Sequence, residues 1–141
     1  MTASPTVVPS TARAWRWPLA RTAAAALMGV VFVFQLALVA GAPWGAAAFG
    51  GQHHGVLPTQ FRATSVVSAM VYLALIVVTL RPRPARWRRI VLFVWFGILV
   101  LGVAMNLVSR SSIERAIWAP VSLLIAISVF VTARDKGPAS S

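Results

Sequence analysis

The chain reads as an all-α integral membrane protein: four helices in an up-down-up-down antiparallel bundle, with a glycine-rich cap between helices 1 and 2. Three observations predict this. The 141 residues are 59% hydrophobic and only 11% charged, with a mean hydropathy of +0.81, which leaves too little polar surface to cover a water-soluble fold. Four apolar runs, near 19–40, 63–80, 90–108 and 116–133, approach the roughly 20 helical residues that cross a hydrocarbon core of about 30 Å. The basic residues behind the net charge of +11 gather at the ends of these runs. The length suits one domain, so 18–135 is expected to form a single transmembrane unit between two disordered tails, 1–17 and 136–141.

Residues 1–17 are rich in Ser, Thr, Pro and Ala without apolar periodicity, as expected of a disordered tail. Trp15 and Trp17 flank Arg16 at the head of the first run, in the pattern of an interfacial anchor with indoles at headgroup level. The run 19–40 is longer than the roughly 7–15 residues of a signal-peptide core. Pro43 follows the Ala40-Gly41-Ala42 triplet directly, so the run reads as a span and not as a cleaved leader. Gln35, its strongly polar side chain, is expected to form an interhelical hydrogen bond.

The stretch 41–62, GAPWGAAAFGGQHHGVLPTQFR, holds five of the nine glycines and both histidines. In a helix interior Gly costs about 1 kcal/mol and Pro about 3 relative to Ala, so a continuous helix is excluded here. A folded-back, semi-rigid cap is expected, with Pro43, Gly45, Gly50, Gly51, Gly55 and Pro58 setting its turns.

In span two, Ser65 and Ala69 lie one turn apart and form a small-xxx-small pair that allows close helix approach. Tyr72 falls near mid-membrane, where its hydroxyl needs a partner; Gln35 and Asn106 are the candidates. The sequence Arg81-Pro82-Arg83-Pro84-Ala85-Arg86-Trp87-Arg88-Arg89 then stops the helix and sets five arginines at the membrane surface. In span three, Gly102 and Asn106 share a face, predicting a tight crossing closed by the amide. Ser111-xx-Glu114 has the form of a capping box, so helix 4 should begin there, before its apolar run. Pro120, within that helix, predicts a kink.

Ten of the thirteen basic residues lie at the N-terminal flank (Arg13, Arg16, Arg21), in the second connection (Arg81, Arg83, Arg86, Arg88, Arg89) and at the C-terminal flank (Arg134, Lys136). Only Arg62, Arg110 and Arg115 lie elsewhere. The positive-inside rule therefore predicts both termini in the cytoplasm and the cap outside, in a bacterial cytoplasmic (inner) membrane, with Trp44 and Trp118 at the outer aromatic level. Arg81, Arg83, Arg86, Arg88 and Arg89 are expected to contact anionic lipids of the inner leaflet, at about 1 kcal/mol each. Basic residues that punctuate apolar runs do not form a nucleic-acid surface. A homo-oligomer or a membrane-protein partner is compatible with this layout.

These motifs also carry a resemblance. The residues Gly41 to Gly45, Gly50, Gly51, Gly55, Leu57, Pro58 and Arg62, with Asn106, Ser109, Ser111, Glu114, Arg115, Trp118 and Pro120, form a pattern GAPWG, GG, GxLP, R and NxxSxSxxERxxWxP. It resembles that of a family of small four-helix bacterial membrane proteins whose members carry no assigned activity. The resemblance covers about Leu36 to Val121; it implies the same four-span fold and no mechanism.

The predicted orientation gathers the distinctive residues on one face: Trp44 and Arg62 from the first connection, and Asn106, Glu114, Arg115 and Trp118 from around the third. Glu114 is the only carboxylate side chain outside the C-terminal tail. It is expected to pair with Arg62 or Arg110, because a charge near hydrocarbon is costly unless paired. Arg115, adjacent in sequence, is a poorer partner.

Most chemistries fail for lack of parts. His53 and His54 are weak metal candidates, since a site needs three or four ligands and only Glu114 could join them. Without cysteine there is no disulfide, thiolate nucleophile or cysteine-held metal. A Ser-His-acid set lacks a free carboxylate, and a carboxylate pair lacks its second member. No phosphate loop, dinucleotide fingerprint or haem-attachment sequence occurs, and no His lies in a span to hold haem. Proton-coupled transport usually needs an embedded Asp, Glu or His, and the spans have none. No cofactor is expected. The sequence favours a structural or interaction role without catalysis. Next comes a binder or carrier of a small lipid-like or quinone-like ligand, in an apolar pocket under the cap rimmed by Trp44, Trp118 and Arg62. Third is a lipid-modifying enzyme using Arg62 on a phosphate and His53 or His54 as base.

Overall fold

The computed structural model describes residues 11–81 and 85–134, with side chains from Pro18 onward. The two chain ends, Arg83 and Lys136 lie outside the described residues, as do the side chains of Arg13, Trp15, Arg16 and Trp17. Four helices form the fold: α1 (Thr11–Ala40), α2 (Thr59–Leu80), α3 (Arg86–Leu107) and α4 (Ser112–Ala133). Two single 3-10 turns, Gly45–Ala47 and Phe49–Gly51, shape the first connection. All four helices are long and apolar enough to cross a membrane.

Each helix begins a turn or more before its apolar run. Hydrophobicity marks the part that faces hydrocarbon, whereas backbone hydrogen bonding carries the helix on into the interface. For α1 the extension reaches Thr11, so Thr11 to Trp17 are helical and not part of the expected tail.

The helix ends follow from local chemistry. α1 stops at Gly41, whose φ of +94° suits a residue without Cβ. The Ala42 N–H then donates to Ala37 O (2.9 Å) and the Gly41 N–H to Leu38 O (3.1 Å), a Schellman closure of the last turn. α4 starts as predicted: Ser111 Oγ accepts from the Glu114 N–H at 3.2 Å. Only half of the capping box forms, because the Ser111 N–H donates to Ser109 Oγ (3.2 Å) and the Glu114 side chain points elsewhere. α4 continues as one helix through Pro120.

α1 packs along both α2 and α4, and α3 packs along α4, while α2 and α3 approach one another only sparsely. The helices therefore run in the order α2, α1, α4, α3. Ala24, Met28 and Val31 of α1 recur on one face and meet Leu75, Leu92, Leu99, Ile125, Ala126 and Val129 in the main core. The lipid side is the reverse of a soluble surface: Val67, Met70, Leu101 and Met105 are each more than 60% exposed. In lipid, close packing and interhelical hydrogen bonds hold helices together, since apolar burial offers little. Ser65 and Ala69 are both buried on α2, whose close neighbour is α1, as the small-residue pair predicts.

The expected tight crossing at Gly102 is not made. A Cβ built there would meet nothing within 4 Å. Asn106 does form its amide bond, donating from Nδ2 to Ser122 Oγ of α4 at 3.1 Å.

Candidate binding cavity under the cap

The first connection closes on itself before it touches the helices. Trp44 and Gly55 form an isolated parallel bridge, and the Gly45 N–H donates to Gly55 O at 2.9 Å. A Cβ on Gly45 would lie 2.5 Å from His53 O, so only glycine lets the two strands of the loop meet there. Phe49 is the described non-glycine residue with positive φ, +53°, a conformation of high cost for a bulky side chain. Its ring lies 5.1 Å from that of Phe61, within a small apolar cluster of Leu38, Ala48 and Leu57 edged by Phe34.

Three hydrogen bonds then seat this loop on the start of α4. Ser111 Oγ donates to Ala46 O (2.8 Å), Trp118 Nε1 to Ala47 O (2.7 Å), and the Gly50 N–H to Glu114 Oε1 (3.3 Å). Gly51 is the contact point: φ is +68°, and a Cβ would stand 2.6 Å from Ser111 Cβ. Loop and helix end thus form one lid.

Beneath the lid lies a cavity of about 170 Å³; one water needs roughly 10–15 Å³ on this measure, so there is room for a small headgroup. Val31, Phe34 and Gln35 of α1, Ser68 and Tyr72 of α2, Asn106 of α3, and Glu114, Trp118 and Ser122 of α4 line it, with Ala47 to Phe49 of the cap above. Among the described residues no Arg, Lys or His lines it.

Several of these groups lack partners. Gln35 Oε1 is buried without a hydrogen bond. The Tyr72 hydroxyl reaches neither Gln35 nor Asn106; its ring stands edge-on to Trp95, 5.7 Å between centroids. Among the described residues neither Ser68 Oγ nor Tyr72 Oη has a hydrogen-bond partner. Of these atoms Gln35 Oε1 is the fully buried one and bears the cost of about 1–3 kcal/mol of an unpaired buried polar group, whereas Ser68 and Tyr72 line the cavity with hydroxyls that a ligand or water there can bond.

Glu114 behaves differently from expectation. It is buried, at 9% exposed, yet pairs with neither Arg62 nor Arg110. Oε1 accepts from the Gly50 N–H and Oε2 from the Ser109 hydroxyl. Arg62 is held by the end of α1, donating from Nε (3.0 Å) and Nη2 (2.6 Å) to Val39 O. The physical reason is proximity: Arg62 sits in the first turn of α2, beside the last carbonyls of α1, where the helix dipole attracts a cation. Arg115 Nη1 donates to Ser109 O at 2.9 Å. Arg110 and His54 line a separate groove on the cap surface.

Of the residues the sequence singled out, Asn106, Glu114 and Trp118 reach the cavity, while Trp44, Arg62 and Arg115 do not line it. Trp44 is half exposed and stacks on Phe34, with ring planes 9° apart. The cavity is therefore more polar than the expected apolar pocket, and its rim differs. His53 packs its ring on Phe61 at 4.5 Å. No group of three or more His, Cys, Asp or Glu occurs among the described residues. Ser122 escaped the sequence reading, although Glu114, Trp118 and Ser122 recur every four residues and so share a helix face. Nothing in the sequence marked Phe34 or Phe49.

Fold and cavity together define a small polytopic membrane protein with a capped, hydrogen-bonding chamber inside its bundle. No protein family, no curated protein and no solved structure matches the chain.

Proposed function

We propose that this protein is a non-catalytic membrane binder of a small lipid-like or quinone-like molecule, held in the cavity under the cap. The observation that carries the reading is the set of unpartnered groups lining one cavity: the hydroxyls of Ser68 and Tyr72, beside Gln35. A bundle selected only for packing would fill this space. The test is the lipid that co-purifies with the full chain. The double variant Gln35→Leu, Ser68→Ala should fold and lose it, whereas protein that is lipid-free at full stability would defeat the reading.

A second reading, a structural or interaction role in the membrane, is favoured by the three hydrogen bonds that seat the cap on α4. A membrane-protein partner or a second copy captured by cross-linking at the cap, with an empty cavity, would favour it over binding.

The membrane is taken to be a bacterial inner membrane with both termini in the cytoplasm, on the strength of ten basic residues on that side against three. Exposed Arg81, Arg86 and Arg89 are then placed for anionic headgroups of the inner leaflet. Reporter fusions at residue 85 and in the cap decide this; a periplasmic signal at 85 reverses the assignment.

A further inference from the structure

One wall of the cavity is left open by the helices, and the inference drawn from it rests on the binding reading above. α2 and α3 are tied where the end of one meets the start of the other: Arg88 donates from Nε to Val78 O (3.0 Å) and from Nη2 to Thr79 O (3.1 Å). Farther toward the cap their contact passes through two large rings, Tyr72 and Trp95; the helices otherwise approach only sparsely. On α3, Leu99, Gly102 and Asn106 share a face by helical spacing. Leu99 belongs to the core and Asn106 lines the cavity, so Gly102 between them faces inward too. Yet a Cβ at Gly102 meets nothing within 4 Å. An inward glycine with no neighbour marks a gap, and this one lies about 6 Å, one turn, below Asn106.

The chemistry of the lining selects the head of the occupant. The Tyr72 and Ser68 hydroxyls line it without partners among the described residues and can donate or accept, which a hydroxyl head matches. A phosphate head would face Glu114 with no cation among the described lining residues to balance it. On the cap-side halves of the two helices, Val67 and Met70 of α2 and Leu101 and Met105 of α3 are exposed and offer apolar surface to an acyl tail.

The geometry points to a cavity filled sideways from the lipid phase, through the gap between the cap-side halves of α2 and α3. The occupant is a neutral amphiphile, its hydroxyl-bearing head at Gln35, Ser68 and Tyr72 and its tail leaving past Gly102.

The experiment places the full chain in phosphatidylcholine nanodiscs doped with either diacylglycerol or phosphatidate of the same acyl chains. Lipid retained after transfer to detergent is counted by mass spectrometry. Diacylglycerol should be retained over phosphatidate by about tenfold, the balance of one uncompensated charge contact. Gly102→Phe should cut its retention about tenfold by filling the gap. Gly97→Phe, at an exposed position of the same helix, should leave it unchanged. Tyr72→Phe should cost about fivefold, the loss of one hydrogen bond. If Gly102→Phe does not fold, Gly102→Val carries the same test with a smaller plug. Retention of neither lipid overturns the binding reading and this inference together. Diacylglycerol retained equally by the plugged variants overturns the sideways path alone, and phosphatidate retained as well as diacylglycerol overturns the neutral head.

Discussion

At the arginine end of the bundle, Arg21 Nη2 donates to Leu80 O (2.9 Å) and Arg81 O (2.7 Å), and Arg88 to Val78 and Thr79. At the cap end, Arg62 donates to Val39 O. Both ends thus answer the last carbonyls of a helix with a guanidinium from its neighbour, which satisfies orphan acceptors and the negative end of the dipole together. The rest differs. At the arginine end three guanidiniums also lie over aromatic rings, Arg81 on Trp87, Arg89 on Phe93 and Arg134 on Phe130. These are exposed, replaceable contacts. The cap end uses few groups, half or fully buried, at positions where backbone and side chain meet without slack. A function that needs a chamber belongs at the end with fixed geometry, and membrane anchoring belongs at the end with redundant charge.

The sharpest way to break this contrast is Gly51→Val. The new side chain would start 2.6 Å from Ser111 Cβ at a φ of +68°, so a loss of about 3 kcal/mol or more is expected. It would be read as a fall in the thermal midpoint of purified protein; an unchanged midpoint would mean the cap does not rest on α4.

Arg88→Leu comes next and tests the arginine end from inside. Arg88 is only 4% exposed, and its loss leaves Val78 O and Thr79 O without their charged donor, at about 2–3 kcal/mol. Exposed Arg86→Leu should stay within about 0.5 kcal/mol. Equal melting of the two would erase the distinction between buried and exposed arginines. Glu114→Ala should cost about 1–3 kcal/mol through the orphaned Gly50 N–H, and Glu114→Gln, which keeps an acceptor, about 1. If Gln were as damaging as Ala, the charge and not the hydrogen bond would hold the lid. At the cap, Trp118→Phe removes one bond to Ala47 O for about 1 kcal/mol and should loosen the cap, seen as faster hydrogen exchange at residues 46–51. Unaltered exchange would show that the other two bonds suffice.

The partnership of Glu114 shows where sequence reasoning stops. That a lone buried carboxylate needs compensation is legible from one residue in one apolar context. Which group compensates it is not, because Gly50 is 64 positions away and Arg62 had a nearer carbonyl to serve. Gly102 teaches the same lesson in reverse: small spacing predicts that helices are able to approach there, and only the placement of α2 decides that none does.

The sequence by itself determined four spans, their approximate limits, the break between Gly41 and Pro58 and the Ser111 start of α4. These depend on hydropathy, helix propensity and capping, which act over a few neighbouring residues. Only the tertiary structure decided that Gln35, Ser68, Tyr72, Asn106 and Glu114 face one volume and that α2 stands off from α3. Both depend on how far each helix is rotated and spaced against its neighbours, and in lipid that is set by the sum of many small contacts from all four helices, which no single segment encodes.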